Sequence, residues 1–346
     1  MSVTDTRIGF CCKMLPDPTQ KFVGKKDLQE WLDRHNCKST TVAYLDRQTP
    51  AARIEKICSI ILHNQQALAA QIKMLSTWPQ ALRMMRIGSE ILPVRTFERY
   101  KHLYQEPSVG RVLEGFEAVG NLARKHDVRL STHPGQYTIL TSDNADVVNR
   151  AIEDLEYHAE IFRLMGFDAS DQRQEINIHG GPNRPDIVDR FRAALPRLSK
   201  DTQQWLSVEN DEFSHGLDDL LPLAEEVKIC VDINHYWIKE GDYLQPDDPR
   251  IARVVESWRG ARPEIHVAWP HEQVLTDHAD LHQLPNMQVL ESKGYRRAKL
   301  RAHSDDAWLP AISKYALEFW DIADLCVEAK YKNLASTKLY KMAIST

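Results

Sequence analysis

Two stretches in the middle of the chain decide the fold. Asp127-Val-Arg-Leu-Ser-Thr132 leads into His133-Pro-Gly-Gln-Tyr137, and Glu175-Ile-Asn-Ile178 leads into His179-Gly-Gly181. Each reads as a short strand that stops at a histidine and a Pro or Gly turn, with a helix from about Ala145 to Met165 between them. The same strand, polar turn and helix recur toward the C-terminus. Trp205–Val208 precedes Glu209-Asn-Asp211, with a helix near Leu217–Val227. The run through Ile229 and Cys230 ends at Asp232 and passes into a loop carrying His235, before a helix over Pro249–Trp258. Glu264–Trp269 is followed by a long connection and a helix near Ala311–Phe319, and Asp324–Val327 precedes Glu328-Ala-Lys330.

Toward the N-terminus, Thr6–Cys12 is a first strand and Met84–Glu90 a second. Between them lie an irregular insertion at about 13–50 and a helix from Pro50 to Leu75, with Ile54, Ile57, Ile61, Leu68 and Ile72 on one face. Ser108 is the expected cap of a helix carrying Val112, Leu113, Phe116, Val119 and Leu122. Eight strands separated by helices imply parallel pairing and closure, so the expected fold is α/β: a single TIM (β/α)8 barrel over residues 1–346, with a long loop at about 270–303. No Gly-rich phosphate or dinucleotide fingerprint follows any strand.

The chain has 346 residues, 42% hydrophobic and 27% charged, with a formal net charge of −5. No apolar run reaches the length of about 20 residues that spans a bilayer. The start lacks the pattern of a secretory signal, and the six cysteines form no CxxC pair or regular framework, so a cytoplasmic setting with reduced thiols is expected. A net negative charge argues against a general nucleic-acid binder unless bound cations change the working charge of a site.

Barrel enzymes build their sites where the strands end. Here successive strands carry His133, His179, Glu209, Asp232 with His235, Glu264 with His266, and Glu328, while His303 lies in the last long loop. A single histidine at a strand end is more often a hydrogen-bonded residue than a ligand, but so many donors at one rim exceed the needs of one ion. Two or three divalent ions are expected, with Glu209 and Asp232 suited to bridging. Such a centre suits phosphodiester hydrolysis.

Taken in order, Leu130-Ser-Thr-His-Pro-Gly-Gln-Tyr137, Ile178-His-Gly-Gly181, Val208-Glu-Asn-Asp211, Val231-Asp-Ile-Asn-His235, Ile265-His266 and Val327-Glu-Ala-Lys330 resemble the UV damage endonuclease family, related to endonuclease IV-type AP endonucleases. Arg86-Ile-Gly-Ser-Glu-Ile-Leu-Pro93 and Arg7-Ile-Gly-Phe10 extend the resemblance over nearly the whole chain. It implies a metal-dependent DNA repair endonuclease that nicks immediately 5′ of UV photoproducts in double-stranded DNA, by metal-bound hydroxide. The ions are manganese by resemblance, with magnesium or zinc as alternatives. The implied ligands are His133, His179, Glu209, Asp232, His235, His266, His303 and Glu328, with Glu209, Asp232, Glu264 and Glu328 as catalytic carboxylates. Gln136 and Tyr137 match the pair that enters the duplex at the lesion, and Phe10 replaces a tyrosine common in the family near the damaged bases. Lys293, Arg296, Arg297, Lys299 and Arg301, with Tyr295 among them, are the expected phosphate contacts. The protein is expected to act as a monomer without a membrane.

The sequence departs from the family pattern in two further places. Glu264 replaces a lysine that can be carboxylated, and Phe97 replaces a histidine, with His102 the nearest substitute. Two other readings compete: a single-metal sugar isomerase or epimerase using Glu209, Asp232, His266 and Glu328, and a non-catalytic lesion-binding protein.

Overall fold

The computed structural model describes residues 6–278 and 280–345. Eight parallel strands close into a barrel in sequence order. They are β1 (Ile8–Cys11), β2 (Met84–Ile87), β3 (Arg129–Thr132), β4 (Glu175–His179), β5 (Leu206–Glu209), β6 (Lys228–Asp232), β7 (Glu264–Val267) and β8 (Asp324–Val327). The pairing of β1 with β8, Ile8 opposite Leu325 and Phe10 opposite Val327, closes the ring.

Period-two alternation divides each strand between two environments. One set, Ile8, Phe10, Met85, Ile87, Leu130, Ile176, Ile178, Val208, Ile229, Val231, Ile265, Leu325 and Val327, packs into the main apolar core with the helices. The other set fills the barrel, and it is mostly polar: Arg86, Arg129, Ser131, Glu175, Asn177, Ser207, Glu209, Lys228, Asp232, Glu264, His266 and Asp324 are all buried. Interior charge is tolerable only where it is paired and hydrogen-bonded. At the floor Arg129 donates to Asp324 at 2.7 Å, and the Lys228 ammonium donates to the carbonyls of Gln172 and Gln174 at 2.8 and 2.9 Å. Burial lowers the Lys228 pKa to about 7, and burial together with Glu264 raises the Glu175 pKa to about 8.

Alternation corrects the expectation for Phe10. Its side chain is 1% exposed and packs outward against the helices, because Gly9 and Cys11 occupy the inward positions of β1. It is not at the rim where the strands end.

The helical layer consists of α1 (Gly24–His35), α2 (Val42–Asp46), α3 (Pro50–Ser76), α4 (Pro107–Leu113), α5 (Phe116–Lys125), α6 (Ala145–Leu164), α7 (Ile187–Ala194), α8 (Lys200–Trp205), α9 (Leu217–Leu220), α10 (Ile233–Glu240), α11 (Pro249–Ser257), α12 (Met287–Ser292), α13 (Arg297–Leu300), α14 (Pro310–Leu317) and α15 (Asn333–Ala343). α3 begins as the sequence suggests, with Thr49 capping and Pro50 in the first turn. The helix expected after Ser108 is instead two. α4 starts at Pro107 with Glu106 at its N-cap, and Gly115 separates it from α5. The helix expected over 217–227 is only the four residues of α9 followed by a tight turn through Pro222. α12 and α13 lie inside the long connection, and α15 follows β8 where the sequence suggested no helix.

Residues 13–50 hold α1 and α2 and are closed on themselves and tied to α3 by asparagine side chains that mimic backbone. Asn36 exchanges two bonds with Met14 (2.8 and 3.0 Å), and Asn64 exchanges two with Lys38 (2.7 and 2.9 Å). No helix among the described residues is long and apolar enough to cross a membrane.

Gly120 marks the tightest approach of the helical layer. A Cβ there would lie 1.8 Å from the Met165 carbonyl oxygen, at the end of α6. Backbone cannot yield as a side-chain tip can, so Gly120→Ala should destabilise the protein by about 3 kcal/mol. Urea unfolding checks this, and an unchanged midpoint contradicts the packing described here.

Candidate metal centre and DNA-facing rim

Glu209, the last residue of β5, is 1% exposed and sits among donors from other elements. Its carboxylate oxygens lie 3.0 Å from His266 Nδ1, 3.3 Å from His235 Nδ1 and 3.5 Å from His133 Nε2, and Asn177 donates a hydrogen bond to it from β4. Burial alone would raise its pKa. The imidazoles of His266 and His179, with the contacts from His133 and His235, outweigh burial and hold the carboxyl well below its ordinary range.

Asp232 lies at the end of β6, and the chain does not run into a loop there. Asp232 caps α10, its Oδ1 accepting from the His235 amide at 2.7 Å, so His235 rides on the first turn of a helix. That cap leaves Oδ2 buried with no hydrogen-bond partner. Asn210 fixes the strand end by exchanging two bonds with the Asp232 backbone, at 2.9 and 3.0 Å. Burial raises the Asp232 pKa and His235 opposes the rise.

The histidines are oriented by main-chain oxygens. His133 Nδ1 bonds to the Pro134 carbonyl at 2.7 Å and His235 Nδ1 to the Asn210 carbonyl at 3.0 Å, which leaves each Nε2 free to act as an electron-pair donor. His179 Nδ1 and His266 Nδ1 are buried without hydrogen-bond partners. Three donor sets have ligand atoms within 4.8 Å of one another: Glu264 with His266 and Cys326, and two at the rim, His133 with His179 and Glu209, and Glu209 with Asp232 and His266. Glu209 belongs to both rim sets. Orphaned buried donors on mixed imidazole and carboxylate ligands around a shared carboxylate fit divalent cations.

Arg86 is the main residue that the sequence reading missed. It projects from β2 into the barrel, donating to Glu328 Oε1 at 2.5 Å and to His266 Nε2 at 2.6 Å. An arginine has no acceptor, so His266 Nε2 carries the lone pair in this contact. Burial raises the Glu328 pKa, but Arg86 and His266 prevail and lower it. Glu212 was also missed, 3.6 Å from His235 Nε2, as was Asp211, 3.9 Å from His179 Nδ1. They stand two and three residues after Glu209, and that cluster of acids was the available signal.

Glu264 is not at the rim. It is the first residue of β7, and His266 stands two positions nearer the rim. Glu264 accepts from Ser131 at 3.1 Å, lies 3.8 Å from Arg129, and approaches His266 Nε2 to 3.8 Å. It supports His266 from below. His303 reaches Glu328 at 3.7 Å from the long connection. Neither position of the second departure supplies a donor: Phe97 is 53% exposed, and His102 lies on a short turn outside the cavity.

His133, His179, Glu209, His235 and Glu328 line a cavity of ≈ 370 Å³ together with Gln136, Glu212, Arg301 and His303, whereas Asp232 and His266 are not part of its lining. Larger hollows of ≈ 490 and ≈ 630 Å³ flank α15 but are mainly apolar and hold no such donor set, so chemistry rather than size selects the site. Tyr137, beside Gln136, is 80% exposed. Lys293, Tyr295, Arg296 and Lys299 line a separate shallow hollow. Arg297 is committed elsewhere: it donates to the Ile238 and Lys239 carbonyls at 2.9 and 2.6 Å and to Glu291 at 2.7 Å, closing the end of α10. It is a structural arginine rather than a free phosphate contact.

Removing Arg86 leaves the largely buried Glu328 without its counter-charge. Arg86→Met should cost about 3 kcal/mol, and Glu328→Gln in the same chain should recover much of the loss. A double-mutant cycle by urea unfolding measures this, and purely additive losses would show that the pair is not coupled.

Comparison with known proteins agrees with this geometry. The family model described as UV-endonuclease UvdE matches residues 26–345. A UV DNA damage endonuclease of Bacillus velezensis is 28% identical over 205 residues, 57% of this chain and 62% of that protein. A UV-damage endonuclease of Schizosaccharomyces pombe is 31% identical over 268 residues, 75% of this chain and 40% of that protein. The alignments thus span less than two thirds of either relative. Among solved structures, SacUVDE superposes with a TM-score of 0.72 over 98% of both chains at 19% identity, which supports the barrel fold. With its barrel closed and its family motifs gathered at one rim, this chain belongs to the UvdE family of UV endonucleases.

Proposed function

We propose that this protein is a metal-dependent DNA repair endonuclease that cuts the phosphodiester immediately 5′ of UV photoproducts, leaving 3′-hydroxyl and 5′-phosphate ends. The observation that carries the reading is the grouping of His133 with His179 and of Asp232 with His266 around the shared carboxylate of Glu209, with Asp232 Oδ2 buried and lacking a hydrogen-bond partner. In a UvdE-family barrel, this donor set opens at a rim that also bears Gln136 and Tyr137.

His133, His179, Glu209, Asp232, His235, His266, His303 and Glu328 would hold two or three divalent ions. Bound there, such ions activate water and neutralise charge on the phosphodiester. The carboxylates explain why cations are needed at all: Glu209 and Glu328 held ionised would otherwise repel a DNA phosphate. Arg86 keeps Glu328 and His266 in place from below, and Glu264 supports His266 through the layer beneath. At the rim, exposed Tyr137 can enter a gap in the base stack, while Gln136, at the edge of the cavity, offers hydrogen bonds to an unpaired base edge. Arg301, 60% exposed on the cavity wall, is positioned for the DNA backbone, and Lys293, Arg296 and Lys299 extend that positive surface outward.

Nicking of UV-irradiated supercoiled plasmid is the direct test. Cutting should stop with chelator, return with manganese, and leave unirradiated plasmid intact. No nicking at any metal concentration would instead favour a non-catalytic lesion binder. Gln136→Ala should reduce discrimination between damaged and undamaged plasmid by about tenfold while metal content stays unchanged. Equal discrimination would remove Gln136 from the lesion contact.

A further inference from the structure

The rim also carries Phe213, which the metal donors and the Gln136–Tyr137 pair leave without a role. The side chain is 45% exposed, an apolar ring beside a strongly charged cavity. Its exposure is built by the loop. Asp211 Oδ1 accepts from the amides of Phe213 and Ser214, both at 2.7 Å, and the Asp211 amide donates to the His215 carbonyl at 2.8 Å. His215 in turn bonds through Nε2 to the Pro182 carbonyl at 2.8 Å. The turn is therefore closed on itself and tied to the β4 loop. Glu212 and Ser214 line the cavity, whereas Phe213 between them does not. Its ring stands against the Arg301 guanidinium, 5.9 Å from centroid to Cζ, and Arg301 is steadied by Glu212 at 3.6 Å.

A rigid loop that holds a phenyl ring in solvent, backed by a cation on the wall of a DNA-cutting site, matches the requirements of a base-stacking surface. Every base offers a π-face, an exposed phenyl ring gains by covering its own, and an arginine beside the ring can meet the adjoining phosphate. A wedge such as Tyr137 opens the stack, and a base pushed out of it stays out only if its face is covered elsewhere. We propose that Phe213, backed by Arg301, is a second recognition element: a stacking platform for a nucleobase extruded from the duplex at the lesion. It stands on the β5 loop, separate from the probe on the β3 loop. The proposal rests on the DNA-nicking reading above.

The test is equilibrium binding of metal-loaded protein to a short duplex with one cyclobutane pyrimidine dimer and to the same duplex undamaged, in calcium to suppress cutting. Phe213→Ala and Phe213→Leu should each weaken binding to the damaged duplex by about tenfold and leave undamaged binding and metal content unchanged. Phe213→Trp should bind as wild type or tighter. Wild-type affinity in Phe213→Ala overturns the platform, as does a leucine variant that matches tryptophan, since apolar bulk would then suffice. If the wild-type protein shows no preference for the damaged duplex, the lesion reading itself fails, and that result is distinct from a change confined to the variants.

Discussion

One buried carboxylate sets the terms for the rest of the structure. Glu209 is ionised in the interior of the barrel, a state that is costly unless the charge is surrounded by opposite charge and hydrogen-bond donors. Three histidines and Asn177, from different elements, meet that requirement. Each of those groups is held in turn: His133 and His235 by carbonyl oxygens, His266 by Arg86, and Asn177 by Ser207 at 2.9 Å. The polar interior is thus a connected support for one rim, and it explains why the barrel departs from the branched aliphatic filling usual in this fold.

The same constraint separates the roles of the acidic groups. Glu209 and Asp232 belong with His266 to one set of donors whose atoms lie within 4.8 Å of one another. Glu328 is already matched by Arg86, and Glu212 lies 3.6 Å from Arg301. Glu264 belongs to the layer beneath, with Arg129 and Ser131. Charge is therefore graded along the barrel axis, from a floor of compensated pairs to a rim where buried donor atoms remain unpaired.

Much of this was legible in the sequence. Histidines and carboxylates at the ends of successive short strands are an unusual pattern, and the alternation of strand and helix is regular enough to count the barrel. What the sequence hid follows from geometry. Arg86 looks like any charged residue in a strand until closure of the barrel brings it against His266 of β7 and Glu328 after β8. The depth of Glu264 was the exception, since the sequence reading starts this strand at the same residue and two residues along a strand move a side chain roughly 6.6 Å. Phe10 depends on which parity of β1 faces inward. Arg297 falls in a basic run, and only the position of the end of α10 shows that its guanidinium is taken. The turn holding Phe213 needs the Asp211 side chain to close it, a bond that spacing permits but does not require.

Elemental analysis of purified wild-type protein and Glu209→Gln, after exhaustive dialysis against buffer without chelator, tests the central claim most directly. Because Glu209 belongs to both rim donor sets, the wild-type protein should retain more than one divalent ion per chain, and the single substitution should reduce retention at both sites together. A wild-type protein that retains no ion, or a Glu209→Gln protein that retains the full wild-type complement, would contradict a centre organised on this carboxylate.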